Sequence, residues 1–530
     1  MVATLRAARR VTAAALAAAL TACGSSPRFA AESARFDQPP QLATATPLPE
    51  NAVADAVARL DGLAEDLMKS SGIPGMAVAV VHGGKTLYAR GFGVRDTRTG
   101  EPVDADTVFQ LASLSKPIAA TVVAHQVGMR AVSGWDTPVA AHLPWFALSD
   151  PAVTRMLTVA DLFAHRSGLP DHAGDLLEDL GYSRREVLER LRRLPLNPFR
   201  TSYAYTNFGV TAGAEAIAVA AGIPWEDLSR QVLYGPLGMR STSSRFADYQ
   251  QRFDKAVGHV LVDGRYEPRY TRDADAQAPA GGVSASVNDM THWLAMLLGG
   301  GEYNGTRIVD SGALLEALTP HIIASPPAQP EMRSGFYGYG FNIGTTASAR
   351  MQFSHSGAFE LGASTNFVMI PSADVAIVAL TNAGPVGVPE TLTAQFADLV
   401  QFGAIRQDWH RLYAAAFAPD DRPLGDLAGK QPPVDPTPPR PLGSYAGSYA
   451  NDYWGSAVVT ESDDALSLSL GPRPELYPLT HWDGDEFVFD LHNENAPVGS
   501  VSKAVFAGDR LVLEYFDQEK MGTFTRGVRP

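Results

Sequence analysis

The sequence predicts a mixed α/β (α+β) fold. An antiparallel sheet is flanked by helices, carries a large helical insertion, and is followed by a small all-β barrel. Three observations predict it. Strand-like apolar runs occur at residues 76–94 and again at 351–380, while residues 117–300 between them read as mainly helical. A stretch spanning residues 418–442 holds eight of the 38 prolines and marks a boundary. Beyond it, residues 443–530 alternate apolar and polar side chains between Gly and Asp turns, as a small antiparallel barrel or sandwich does.

In chain order, Arg6, Arg9 and Arg10 precede an apolar, alanine-rich run from Val11 to Leu20, which is too short to span a bilayer. Leu20-Thr21-Ala22-Cys23 resembles a bacterial lipoprotein cleavage box. Residues 1–22 are therefore expected to be a signal peptide. The mature chain then begins at lipidated Cys23, anchored on the periplasmic or extracellular face of a membrane. Residues 23–50, rich in Ser, Pro, Ala and Thr, read as a flexible tether.

From Val53 to Met68 apolar residues recur at helical spacing, and Gly72-Ile73-Pro74-Gly75 ends the helix. Met76–Val81 and Thr86–Val94 form a hairpin. A helix begins just before Ser113, and Arg184–Leu194 and Gly209–Ala221 form two more. Residues 278–283 read as a loop, and Asn288-Asp289 as the cap of a helix over Met290–Leu298. Met351–Ser354, Ala363–Met369 and Val375–Leu380 are strands, and Pro389–Phe402 is a closing helix. Such a chain must fold with its first and last strands adjacent. The helical block then lies beside the sheet, with a cleft between the two. The expected division is a main domain at 51–417, a linker at 418–442 crossed by few contacts, and a barrel at 443–530.

Hydrophobic content of 45% and charged content of 19% are those of a globular chain with ample core. A net charge of −14 argues against nucleic acid as a partner. The single cysteine excludes a zinc-type Cys/His cluster, and no cofactor is implied.

The chemistry centres on Ser113-Leu114-Ser115-Lys116. In the first turn of a helix, Ser113 and Lys116 share a face. A buried lysine with a lowered pKa can act as base for the serine, and free N–H groups at the helix start can stabilise an oxyanion. The same spacing recurs at Ser500–Lys503, but among strand-forming residues and too near the end for a catalytic domain to follow. Tyr205-Thr206-Asn207 comes 92 residues after Ser113, with a phenol able to shuttle a proton and an amide able to orient a carbonyl or touch a lysine. His355-Ser356-Gly357 follows 150 residues later, at the end of a predicted strand, where Gly357 permits close approach to the backbone.

In this order, the three motifs resemble those of the penicillin-recognising serine hydrolases: class C-type β-lactamases, DD-peptidases, D-amino acid peptidases and related esterases. His165-Arg166-Ser167-Gly168-Leu169-Pro170, Pro279-Ala280-Gly281-Gly282 and Ala358 followed by Gly362 are similar to further family segments. The resemblance covers roughly residues 51–405 and implies a β-lactamase-like sheet. It implies Ser113 as acylated nucleophile, Lys116 as its base and Tyr205 as proton shuttle. Asn207, His355, Gly357 and Ala358 would contact substrate, with the N–H groups of Ser113 and Ala358 as oxyanion hole. Residues 443–530 are similar to a β domain often appended to such enzymes.

The expected activity is hydrolysis of an amide or ester in a small-molecule or peptide substrate through an acyl-enzyme. The alternatives are a true β-lactamase or DD-carboxypeptidase, and a non-catalytic penicillin-binding or sensor lipoprotein. His355 stands where β-lactamases of this type have lysine, which weakens the β-lactamase reading. With an ordinary imidazole pKa near 6.5, its charge is expected to vary across neutral pH.

Overall fold

The computed structural model describes residues 42, 44–420 and 422–527. The lipoprotein box and Cys23 lie outside them. The end of the expected tether is held in place: Ala45 N–H donates to the Ser348 carbonyl and Arg350 Nη2 to that of Thr46.

Helix α1 (Ala52–Val57) is followed by α2 (Leu60–Ser71), so the single helix expected here is broken at Ala58–Arg59. Its apolar face continues across the break, with Val53, Ala56, Leu60, Ala64 and Leu67 all buried. Strands β1 (Gly75–His82) and β2 (Lys85–Gly93) form the predicted hairpin. Helix α3 (Ser115–Gly128) is buried nearly all round, as its apolar sequence requires. Next come α4 (Asp175–Asp179), α5 (Asn207–Ala221) and α6 (Val287–Leu298). Ser286, rather than Asn288 or Asp289, caps α6 by accepting the Asp289 N–H, because it stands one residue before the first helical turn. The Asp289 carboxylate instead binds Ser241 and Thr242. The loop expected at 278–283 contains a helical turn, Ala278–Gly281, started by Pro279.

Six further strands complete the sheet: β3 (Ile322–Ser325), β4 (Gly335–Tyr337), β5 (Asn342–Thr345), β6 (Met351–Phe359), β7 (Ala363–Ile370) and β8 (Val375–Thr381). Their order is β2-β1-β8-β7-β6-β5-β4-β3, antiparallel throughout. Met76 pairs with Thr381 and His82 with Val375, so the first and last strands are neighbours as the sequence demands. Strand β6 runs to Phe359, so His355 lies mid-strand and not at a strand end. Val78 and Val80 pack toward α1, α2 and α7 (Val388–Phe402), while Ala77, Ala79 and Val81 pack toward α3 and α6. A short helix, α8 (Trp409–Phe417), follows α7.

The eight strands from Gly447 to Arg526 close into a barrel. The proline-rich segment is laid along this barrel: Leu424 N–H donates to Ser500 Oγ, and Lys503 pairs with Asp426. The second Ser-x-x-Lys sequence is thereby given to structural contacts. The expectation that few contacts cross between main domain and barrel is not met. Tyr182 OH donates to the Trp454 carbonyl, and Asn495 Nδ2 to Asp179. The Glu494 carboxylate accepts the N–H groups of Glu360 and Leu361, and one hydrophobic core runs through both parts.

Candidate active site

Ser113 lies in a single 3₁₀ turn, Ala112–Leu114, that feeds directly into α3. Ala112 holds φ of 48°, a left-handed conformation that costs a non-glycine residue energy. The turn is wedged between β6 and the helical turn at Ala278–Gly281: Leu111 N–H donates to the Val283 carbonyl, and Thr365 Oγ1 to that of Leu111. Gly357 lies flat against it. A Cβ there would stand 2.3 Å from the Leu111 carbonyl oxygen and 2.9 Å from the Ser113 amide nitrogen, so only glycine permits this approach.

Lys116 is fully buried, and its Nζ has three partners: Ser113 Oγ at 2.9 Å, Asn207 Oδ1 at 2.6 Å and the Ala280 carbonyl at 3.0 Å. As an ammonium it satisfies all three. As a neutral amine it keeps two N–H bonds, to Asn207 and Ala280, and aims its lone pair at Ser113. Burial pushes the amine down to about 7, with the Asp175 carboxylate opposing the shift. A base of that strength is half available at neutral pH.

Tyr205 OH donates to Ser113 Oγ at 2.8 Å, and its ring lies 4.4 Å below Lys116 Nζ. Burial raises this phenol well above its ordinary value, so it rests neutral and acts as a donor. The turn at residues 165–170 pins the segment that carries it. The His165 carbonyl accepts the Ala204 N–H, His165 Nδ1 accepts the Thr206 N–H, and the His165 ring packs 4.5 Å from that of Tyr205. Asn207 opens α5, which orients its amide toward Lys116.

His355 is 4% exposed and already partnered. Nδ1 meets the Ser356 carbonyl at 2.6 Å, and Nε2 accepts from Tyr337 OH at 2.8 Å. Burial, with Lys116 close by, pushes the imidazole down to about 3. The expectation of a charge varying across neutral pH is therefore overturned: this histidine is neutral, because desolvation outweighs its hydrogen bonds. It also has no hydrogen bond to Tyr205 or Ser113; its ring stands 6.4 Å from that of Tyr205. Ala358 is exposed beside it, next to Gly357.

Four groups escaped the sequence reading. The Ala280 carbonyl lies inside a noted segment, but backbone acceptors carry no residue signature. Tyr337 sits on a strand that was not recognised. His165 was noted only as part of a turn. Asp175, which accepts Asn207 Nδ2 at 2.8 Å, had no motif of its own.

Residues 60–402 match the Beta-lactamase family, and residues 431–510 match a domain of unknown function (DUF3471). The chain belongs to the Beta-lactamase family. It is 25% identical over 435 residues to the Unguisins hydrolase ungD of Aspergillus violaceofuscus, covering 74% of this chain and 75% of the relative. It is 32% identical over 236 residues to Esterase EstB of Burkholderia gladioli, covering 42% of this chain and 58% of that enzyme. Among solved structures, the octameric penicillin-binding protein homologue from Pyrococcus abyssi superposes with a TM-score of 0.58 at 19% identity, covering 86% of this chain and 98% of that one. The fold is thus a β-lactamase-like antiparallel sheet with helices and an added eight-stranded barrel. The protein is a serine hydrolase that acts on amide or ester bonds of small-molecule or peptide substrates.

Proposed function

We propose that this hydrolase is a lipid-anchored peptidase or esterase of the cell envelope that is acylated on Ser113 and handles β-lactams poorly. One observation carries the reading: a buried Ser113–Lys116–Tyr205 cluster stands beside a neutral histidine where a β-lactamase of this type has a cation.

Neutral Lys116 takes the Ser113 proton as Oγ attacks the substrate carbonyl. The N–H groups of Ser113 and Ala358 receive the oxyanion. As the C–N or C–O bond breaks, Tyr205 OH passes a proton to the departing amine or alcohol, which leaves an ester on Ser113. Water then attacks that ester with the same groups acting in reverse. A substrate carboxylate finds no fixed charge at His355. Neutral substrates are accordingly favoured, and the likeness to Esterase EstB supports this. The anchor reading rests on the Leu20–Cys23 box.

Incubation with a fluorophosphonate, followed by peptide mapping, should place the adduct on Ser113. A panel of p-nitrophenyl esters, D-amino acid amides and nitrocefin should show the first two outpacing the third. An adduct on another serine, or nitrocefin as the best substrate, would overturn the proposal. Cys23→Ser should release the protein from membranes with its specific activity unchanged.

A further inference from the structure

Behind Asn207, hydrogen bonds lead from the buried lysine to the surface. Asn207 Oδ1 accepts from Lys116, and its Nδ2 donates to Asp175 Oδ2 at 2.8 Å. His172 Nδ1 meets that same carboxylate oxygen at 2.9 Å. Asp175 is 3% exposed, whereas the His172 side chain is 53% exposed. An amide can sit either way round. An acceptor on its far side decides the matter, because only Nδ2 can serve a carboxylate. With Asp175 in place, the oxygen of Asn207 must face Lys116.

The charges around this line are few. Lys116 feels Asp175 as its anion, with the uncharged imidazoles of His165 and His355 and the neutral phenol of Tyr205 on its other sides. His172 faces Asp171, Asp175, Lys116 and His165, and its ring lies 5.6 Å from that of Tyr205. Asp175 also feels Glu178 and Asp179 along the chain and the phenols of Tyr453 and Tyr515 from the barrel. The barrel's Asn495 and Gln518 share a groove of about 380 Å³ with Asp171, His172 and Asp175, so solvent reaches His172 from there.

We propose that Asp175 and His172 are positioning residues for this chemistry. The carboxylate locks Asn207 with its oxygen toward Lys116, and the imidazole governs how much of the carboxylate's charge the lysine feels. The inference deepens the acyl-enzyme reading and rests on it. Its consequence has a sign. The Asp175 charge favours the ammonium form of Lys116 and so delays its conversion to base. A protonated His172 cancels part of that charge. Removing the acid and removing the imidazole should therefore move the lysine's titration in opposite directions.

The rate of Ser113 labelling by a fluorophosphonate reports base formation without a known substrate, so its pH dependence is the readout. Asp175→Asn should shift the acid limb to lower pH by about half a unit or more, the scale of one charge at this distance in a partly screened site. His172→Gln keeps a donor for Asp175 but cannot ionise, and should shift the limb to higher pH by a few tenths of a unit. Limbs that stay put in both variants, or move the same way, overturn the inference. A purely structural role would lower the rate at every pH without moving the limb. His172 is half exposed, so its variant provides a folded test even if Asp175→Asn fails to fold. A wild-type protein with no adduct on Ser113 would overturn the acyl-enzyme reading and this inference with it. An adduct with unmoved limbs overturns the inference alone.

Discussion

Lys116 has three acceptors around one buried amine, the arrangement on which its proposed role as base depends. Asn207 and Ala280 hold two of its hydrogens, so loss of the third proton leaves a lone pair on the line to Ser113. Because only the neutral amine accepts a proton, kcat/KM on a neutral ester should fall as pH drops below about 7. Tyr205→Phe should lower kcat by about a hundredfold or more with the fold intact, the usual loss when a positioned proton donor is removed. Full activity in that variant would show that the leaving group takes its proton elsewhere. His355→Lys should harm neutral and anionic substrates alike. It would strip Tyr337 OH of its acceptor and bury a second ammonium near Lys116. Selective improvement on an anionic substrate would refute that. At this scale Ser113, Lys116, Tyr205 and Asn207 were legible, because each is a polar side chain at a recurring spacing. The protonation of His355 was not. Burial sets it, and burial depends on Tyr337 and the depth of β6 in the sheet.

Among the elements, α7 carries a feature with a measurable cost. Glu390 is 4% exposed, and neither of its carboxylate oxygens has a hydrogen-bond partner among the described residues. It lines a cleft of about 960 Å³ behind β6 and β7, with Ser356, Asn366, Thr393 and Tyr413 nearby. Burial raises the carboxyl to about 7. A raised acid holds its proton more tightly in the folded chain. Its stabilising contribution is therefore full below the unfolded value and is lost as pH climbs to about 7. Glu390→Gln should consequently stabilise the protein at pH 8, by about 3 kcal/mol for a shift of this size, and hardly at all at pH 4. Equal Tm changes at both pH values would show that Glu390 does not titrate in this range. The long elements were legible: β1, β7, α5 and α7 follow apolar runs ended by Gly or Pro, β8 is a further apolar run, and β2 follows the Gly83-Gly84 turn. Strands β3 to β5 were missed. They are three or four residues each and owe their extended form to pairing along the sheet edge.

For the whole molecule, the proline-rich segment correctly announced a change of architecture but not an independent part. At the junction Arg272 faces Glu178 at 2.6 Å and Glu494 at 3.7 Å, with Asp179 held by Asn495. Burial raises all three acids, with Arg272 opposing: Asp179 to about 6, and Glu178 and Glu494 above their ordinary range. The sign is that of Glu390, so the junction is tightest in mild acid and loosens as pH rises past 6. Tm should fall between pH 5.5 and 8, and less so in an Asp179→Asn, Glu494→Gln double variant. A parallel fall in that variant would assign the loss to other groups. Truncation after Ala418 should yield a poorly soluble protein, since it would uncover Tyr182, Leu180 and the Arg272 cluster. A soluble, fully active fragment would show the barrel to be dispensable. Proline content was legible as a break in pattern; the shared core was not, because alternating residues do not reveal which outward side chains meet a neighbour.

The pairing of β1 with β8 also bears on how the enzyme is made. Met76 pairs early with Phe92 of β2, but its β8 partner Thr381 is made much later, and closing so long a loop is slow. Ala358, on β6, reaches Ser113 only once that late part of the sheet has been made. An emerging or prematurely terminated chain thus carries Ser113 without Ala358 beside it. The order of synthesis thus delays the hydrolase site until β8 has joined the sheet.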